Sequence, residues 1–411
     1  MTPLCRHCTA PMPRLFLDLG YAPPSNAYLA PEAMNAVEMT FPLRLRVCDV
    51  CQLVQTEDFA KADQLFDNDY AYFSSTSKTW LDHAASYAKM VTERFGLDDG
   101  SYVIEVASND GYLLRNFLAA GIPCLGIEPT QSTAATAEAL GVPTLRAFFG
   151  SALGQSFGVE GRQADLIVGN NVYAHVPDIN DFTLGLAAAL KPEGVVTLEF
   201  PHLMRLVEQC QFDTVYHEHF SYLSLLTVMR IFAQAGLRIF DVDEIPTHGG
   251  SLRVYGCHKA AGHATIARAD ALLAEERARG METSAFYEGL QTRAEAVKDG
   301  LLRFLLDAKR DGRTVVGYGA AAKGNTLLNF AGVKPDLLPF ICDAAPSKQG
   351  KFTPGSHIPI LPPEALFAIR PDYVLILPGY IATEVKSQLA YLSDLGTQFV
   401  TVVPELRVEL R

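Results

Sequence analysis

Short apolar runs alternate with helical patterns through the middle of the chain. Tyr102-Val103-Ile104-Glu105-Val106 is a β-branched run that breaks at Ala107-Ser108-Asn109-Asp110-Gly111, after which Tyr112 to Leu118 reads as helical. The pattern predicts a strand, a tight turn and a helix. Cys124 to Ile127, Asp165 to Asn171 and Val195 to Phe200 predict further strands, so this region is an α/β unit whose ligands bind at the strands' carboxyl ends. A charged, Ala-rich helical stretch follows. The alternation then begins again: Thr314 to Val316, Phe340 to Asp343, Tyr373 to Leu377 and Phe399 to Val403 read as buried strands of a second α/β unit. A helical stretch ending near Phe95 precedes the first unit. It follows an aromatic, hydroxyl-rich loop from Asp67 to Ser77 that either packs or lids a polar ligand, with Tyr72 and Ser75 as the contacts in the second case.

The first fifty residues read differently. Cys5-Arg6-His7-Cys8 and Cys48-Asp49-Val50-Cys51 are two C-x2-C knuckles, the spacing that lets both thiolates of a pair reach one tetrahedral zinc. With no redox-type βαβ pattern around them, they point to a structural site of Cys5, Cys8, Cys48 and Cys51, with His7 a bystander. The segment between the knuckles is rich in Pro and small residues and reads as too poor in apolar periodicity to fold unaided, so zinc would supply the missing folding energy. Cys124, Cys210, Cys257 and Cys342 stand alone near apolar segments and read as core residues.

Two strand-to-helix turns carry binding chemistry. The turn from Ala107 to Gly111 lacks G-x-G-x-x-G, while Glu105 ends the first strand and Glu128 ends the second, about 20 residues past the turn, where a carboxylate can bond both ribose hydroxyls. That combination favours S-adenosylmethionine (SAM), a nucleoside ligand without phosphate, over a dinucleotide. Glu105, Asn109, Asp110, Gly111, Glu128, Asn170 and Asn171 are the residues it would use. The second turn, Gly317 to Asn325, sets glycines and Lys323 at a helix start, which suits a diphosphate or merely the packing of small residues. Lys348 and Lys351 on the loop after Asp343 would complete a phosphate clamp. His248-Gly249-Gly250 reads first as a turn.

Composition narrows the partners. The 411 residues, 49% hydrophobic, suffice for two or three packed domains, and a net charge of -12 with a pI near 5.3 argues against a nucleic-acid groove. No apolar run approaches the roughly 20 residues of a membrane span and no signal-peptide pattern opens the chain, so a soluble, cytoplasmic protein is expected.

The segment Tyr216-His217-Glu218-His219-Phe220-Ser221-Tyr222 holds two imidazoles, a carboxylate and two phenols, the groups proton transfer at neutral pH requires. It is no zincin face, since Ser221 stands four after His217. The bland alternative is a polar surface turn.

Taken in order, the two knuckles, Glu105 to Gly111, Asn170 to Pro177, Tyr216 to Tyr222, His248 to Arg253, Gly317 to Asn325 and Lys348 to Lys351 resemble the three-part class I SAM-dependent nucleotide-sugar C-methyltransferases over essentially the whole chain. The resemblance implies a zinc-binding domain (1–66), a SAM domain with the catalytic segment (67–300) and a Rossmann-like domain for a nucleotide-linked sugar (301–411). It implies methylation beside the ketone, commonly at C3, of a TDP- or GDP-linked 4-keto-6-deoxysugar. His219 would be the base, Tyr216 and Glu218 its partners. His175, Tyr222, His248, Gly249, Arg253, Gly317, Gly319, Lys323, Asn325, Asp343, Lys348 and Lys351 would line the acceptor site. Two positions depart from the family: Ala107 replaces a glycine of the SAM-binding turn, and Pro378 to Ala382 stands where many relatives carry Trp-Asn.

Chemistry supports the same reading. Carbon attacks a methyl group only after losing an α-proton, so a base and enolate-stabilising donors are needed together. The rivals are an NAD-dependent oxidoreductase using Gly317 to Gly324 on a nucleotide sugar, and a non-catalytic zinc adaptor.

Overall fold

A computed structural model of the chain describes residues 2–59, 74–76 and 78–409, which build three sheets. The first contains β1 (Leu15–Ala22), β2 (Phe41–Val47) and β3 (Val54–Thr56), antiparallel in that order. This corrects the expectation that the segment lacks periodicity. Phe41-Pro42-Leu43-Arg44-Leu45-Arg46-Val47 alternates strictly, burying Leu43, Leu45 and Val47 on one face and leaving the arginines half-exposed on the other.

The central sheet uses β4 (Val103–Val106), β5 (Cys124–Ile127), β6 (Thr144–Leu145), β7 (Ala164–Asn170), β8 (Leu190–Pro201), β10 (Leu237–Ile245) and β11 (Ser251–His258) in the order β10-β11-β8-β7-β4-β5-β6. β4 to β8 run parallel, while β11 is antiparallel to both its neighbours. The predicted helix between β4 and β5 is Leu114–Ala119, and the helix before the sheet is Lys78–Phe95. The third sheet, order β14-β13-β12-β15-β16-β17, contains β12 (Val315–Tyr318), β13 (Ile341–Cys342), β14 (Ile360–Leu361), β15 (Tyr373–Ile376), β16 (Gln398–Thr401) and β17 (Arg407–Val408), parallel except for β17. All four lone cysteines are buried, as expected.

Two features join the sheets. β9 (Ser221–Tyr222), the end of the polar segment, pairs with β3 and so enters the first sheet, with Val54 opposite Tyr222 and Gln55 opposite Ser221. Helix Leu290–Arg310 buries Leu290, Ala294, Val297, Leu301, Leu305 and Ala308 at helical spacing, and Gln291 accepts from the Asp18 amide of β1. One apolar core runs through all three parts.

The glycines of the second turn serve packing. A Cβ on Gly317 would meet Ile341 at 2.7 Å, on Gly319 (φ +88°) Pro378 at 2.6 Å, and on Gly324 Leu377 at 2.8 Å.

The two knuckles have matching geometry. Cys5 N bonds Ala10 O and Thr9 N bonds Cys5 O, while Cys48 N bonds Leu53 O and Gln52 N bonds Cys48 O; Thr9 and Gln52 both take positive φ. The four sulfurs lie within 4.8 Å of one another, with Cys5–Cys51 at 3.5 Å and Cys8–Cys48 at 3.4 Å. Four sulfurs each about 2.3 Å from one zinc would stand roughly 3.8 Å apart, so the cluster fits the ion. A hydrogen bond from Cys51 pushes the Cys5 thiol down to about 4, and burial pushes Cys48 up to about 11. A dication would turn the set into four thiolates. Gln55 Nε2 donates to Cys5 Sγ at 3.2 Å and supports the set from outside. Elemental analysis should find about one zinc per chain, and Cys48→Ser should lose both metal and thermal stability. Retention of full metal content and melting temperature in that variant would contradict a four-cysteine centre.

Candidate functional site

At the carboxyl ends of β4, β5 and β7 the first turn folds through Ala107 (φ +57°), Asn109 (φ +50°) and Gly111 (φ +76°). Ala107 thus occupies a left-handed position that favours glycine. Gly111 is required there, since a Cβ would also meet Val142 at 2.9 Å. Glu128 is buried and oriented by two amides, Asn109 N to Oε2 and Thr130 N to Oε1, each at 2.9 Å. Ser74 N donates to Asn109 Oδ1 at 2.9 Å and Ser75 N to Asp110 Oδ2 at 3.0 Å, which docks the end of the aromatic loop on the turn. Tyr72 lies outside the described residues.

Several buried polar atoms here have no hydrogen-bond partner: Glu105 Oε2, Ser108 Oγ, Asp110 Oδ1 and both amide atoms of Asn170. Burial, then the charges of Glu128 and Asp110, hold the Glu105 carboxyl well above its usual range. Unpaired polar atoms of Glu105, Ser108, Asp110 and Asn170 beside the oriented Glu128 suit a polar nucleoside ligand such as SAM.

His217 to Tyr222 are buried and Tyr216 is half-buried, so the segment is not a surface turn. His219 is 7% exposed and packs against Tyr216, with centroids 3.9 Å apart, and edge-on against His175 at 4.6 Å. Burial, then His175, Lys323 and His248, push its pKa well below 6.5, against a hydrogen bond to the Thr214 backbone. Burial likewise takes His175 to about 4 while its Nδ1 bonds Glu218 O at 2.8 Å. Both rings are neutral at pH 7. Glu218 accepts from Asn26 Nδ2 at 3.3 Å through Oε1, its Oε2 is buried without a partner, and burial raises its pKa. The Tyr222 hydroxyl accepts from Tyr216 N at 3.3 Å, and burial raises its pKa. His217 points elsewhere, edge-on to Phe41 of β2. Burial lowers its pKa although the Phe41 and Pro42 carbonyls oppose this, and neither ring nitrogen makes a hydrogen bond.

Facing His219 across a junction is the third sheet. Lys323 Nζ donates to His248 O at 3.2 Å and stands 4.2 Å over the Tyr380 ring; burial lowers its pKa and Asp213 opposes the shift. Asp213 itself is buried, its pKa raised by burial against the pull of Lys323. The His248-Gly249-Gly250 turn has three consecutive positive φ values and carries His248 toward Tyr380 and, at 3.5 Å, Asn171 Nδ2. The His-Gly-Gly motif is thus both a turn and part of the junction. Asn325 Nδ2 donates to Ser25 O at 2.7 Å, leaving Oδ1 buried without a partner. Lys348 donates to Ala320 O at 2.8 Å and stands 3.6 Å from Asp343; Lys351, half-buried, follows on the same turn.

Arg253 is placed apart from this group. It pairs with Glu199 at 2.5 Å over the Tyr87 ring, inside the central sheet. Burial works against the Glu199 charge, but His83 and Arg253 hold its pKa below the usual value. Gly317 and Gly319 are explained by Ile341 and Pro378.

Sequence reasoning missed Asn26, Tyr28, Asp213 and Tyr380. The Tyr28 hydroxyl donates to Ala320 O at 2.5 Å, so the first domain forms a wall of the junction. Nothing in local periodicity signals such contacts. The departure at Pro378 to Ala382 was the one visible hint of Tyr380.

Comparisons with known proteins agree with this geometry. Three family models match: a zinc binding domain over residues 5–66, a methyltransferase domain over 80–242 and a C-methyltransferase C-terminal domain over 246–404. The chain is 35% identical to C-methyltransferase NovU of Streptomyces niveus over 392 residues, 95% of this chain and 93% of the relative. Among solved structures, magnesium protoporphyrin IX methyltransferase of Synechocystis PCC 6803 with bound SAH is 15% identical over 44% of this chain and 83% of its own, TM-score 0.36. The PH0226 protein of Pyrococcus horikoshii OT3 is 12% identical over 46% and 95%, TM-score 0.37. No described helix is long and apolar enough to cross a membrane. With a four-cysteine centre, a SAM-type sheet and a relative aligned over nearly its whole length, the chain belongs to the zinc-containing SAM-dependent C-methyltransferases.

Proposed function

We propose that the chain methylates the carbon beside the ketone, C3, of a TDP- or GDP-linked 4-keto-6-deoxyhexose through an enolate, with His219 as base. The observation that carries this reading is a neutral, buried imidazole where the central sheet's ligand end meets Lys323 on the helix after β12. Bound SAM supplies an electrophilic methyl group and leaves as S-adenosylhomocysteine. Glu105, Asn109, Asp110, Gly111, Glu128, Asn170, Asn171, Ser75 and Tyr72 hold it in this reading. Lys323, Lys348, Lys351, Asn325 and Asp343 take the nucleotide diphosphate and sugar, and Gly317 and Gly319 shape the floor beneath them. His175, Tyr222, His248, Gly249 and Arg253 support the acceptor side, the last through Glu199.

His219, neutral, takes the α-proton while the substrate's C–H electrons move to the ketone oxygen. Tyr216, its ring tilted against the base, stabilises the charge, and Glu218, through its backbone carbonyl on His175, sets the second imidazole. The functional division is 1–66, 67–300 and 301–411. The NAD reading is not favoured, because the matching domain models and the aligned relative are methyltransferases. An adaptor has no use for this buried proton-transfer group.

Two tests separate the parts. By calorimetry, Glu128→Ala should weaken SAM binding about 10- to 100-fold and spare the nucleotide sugar, whereas Lys323→Ala should do the reverse. An NAD-specific response at Lys323 would revive the oxidoreductase. His219→Ala should lose about 10² to 10⁴ in kcat with SAM affinity nearly unchanged, and His217→Ala far less. In deuterated water without SAM, α-proton exchange of the keto sugar should vanish with His219; exchange that persists there, or follows His217, removes His219 as base. A protonated His219 cannot accept a proton, so activity falls as pH drops through its lowered pKa, and the acid limb of kcat/KM should lie below 6.5.

A further inference from the structure

Arg6 sits between two metal ligands, yet its side chain reaches out of the knuckle and is only 6% exposed. Its guanidinium donates to Pro177 O at 2.6 Å and Thr56 O at 3.3 Å, pairs with Asp58 at 2.7 Å, and lies 5.4 Å over the Phe220 ring. Phe220 follows His219 directly. Its carbonyl accepts from Thr56 N at 3.2 Å, so ring and main chain are both held from the first domain. Pro177 lies two residues beyond His175, the ring packed edge-on against His219.

The main chain of the knuckle is fixed as firmly. Arg6 N donates to Gln55 Oε1 at 2.9 Å, and Gln55, opposite Ser221, donates its Nε2 to Cys5 Sγ. From the SAM domain, Asn180 Nδ2 donates to His7 O at 2.8 Å and Arg6 O at 3.3 Å, and its Oδ1 bonds His7 Nδ1 at 2.8 Å. One cation held by a metal knuckle therefore ties together the two segments that bring His175 and His219 into contact.

We propose that Arg6 is a positioning residue for methyl transfer, through which the zinc centre holds the two histidines in register. The proposal rests on the reading of His219 as base. Displacing reacting groups by about 1 Å costs on the order of 10²-fold, so Arg6→Ala should lower kcat by about 10- to 100-fold. KM for the keto sugar, SAM affinity and zinc content should change by less than about twofold. Arg6→Lys, keeping a cation over Phe220, should recover part of the loss.

A readout independent of turnover is the NMR of ¹³C-labelled histidine rings in the zinc-loaded protein. Arg6→Ala should shift His175 and His219 and leave His357, which pairs with Glu38 elsewhere, unmoved. Adding Arg6→Ala to His219→Ala should cost little more in kcat than His219→Ala alone. Should His219→Ala keep full activity, the base assignment fails, while the ring shifts still decide the coupling. If Arg6→Ala does not fold, Asn180→Ala loosens the same knuckle from the other side and should lower kcat with the same shifts. Unchanged kcat and histidine signals in a folded variant of either kind, or an effect that follows zinc loss, would overturn the proposal.

Discussion

The short pairing of β9 with β3 is the constraint on which the rest depends. Two registered residues, Ser221 and Tyr222, fix the end of the Tyr216 to Tyr222 segment to β3, the strand that follows the second cysteine knuckle. A two-residue strand is too short to hold itself, and here it inherits order from β2 and β3. His219, two residues upstream, is therefore positioned by the first domain although it belongs to the second in sequence. Main-chain register thus links the four-cysteine cluster to the His219 segment.

Charge is distributed with the same economy. A chain with net charge -12 brings the carboxyls of Glu105, Asp110 and Glu128 together at one turn, and carries Lys323 on the helix after β12 with Lys348 and Lys351 on the loop after β13. The two ligands the reading requires have opposite local charge, cationic sulfonium and anionic diphosphate. On the proposed reading each site would repel the other's ligand, so that Coulomb interactions would favour separate occupancy before any shape is considered.

Much of the fold was legible. β4, β5, β7 and β15 fall where short, largely apolar runs predict them, because buried parallel strands leave an apolar signature. The cysteine spacing announced the zinc centre, since a tetrahedral ion dictates ligand spacing. The alternation in β2 was equally visible but overlooked in a segment dominated by Pro and small residues. What could not be read was contact between distant segments: Asn26 on Glu218 and Tyr28 on Ala320 across domains, and Arg253 committed to Glu199 within the central sheet. Such pairs join residues far apart in sequence and leave no periodicity. The glycines at Gly317 and Gly319 misled in the opposite direction, because small residues signal a close approach without saying whether a ligand or Pro378 makes it.

The depressed pKa of His219 bears on its proposed role, since a group so unwilling to hold a proton is a weak base. Its causes supply the answer. Burial is the largest, but His175, Lys323 and His248 add to it. In the proposed complex the diphosphate of the acceptor pairs with Lys323 and cancels part of that ammonium's field at the imidazole. Binding then raises the proton affinity of the base only when the correct anion is present. The free site stays neutral and unreactive toward stray acids, and the loaded site gains basicity. The acid limb of kcat, which reports the complex, should accordingly lie above that of kcat/KM, which reports the free enzyme; coincident limbs would show that Lys323 does not couple substrate charge to His219.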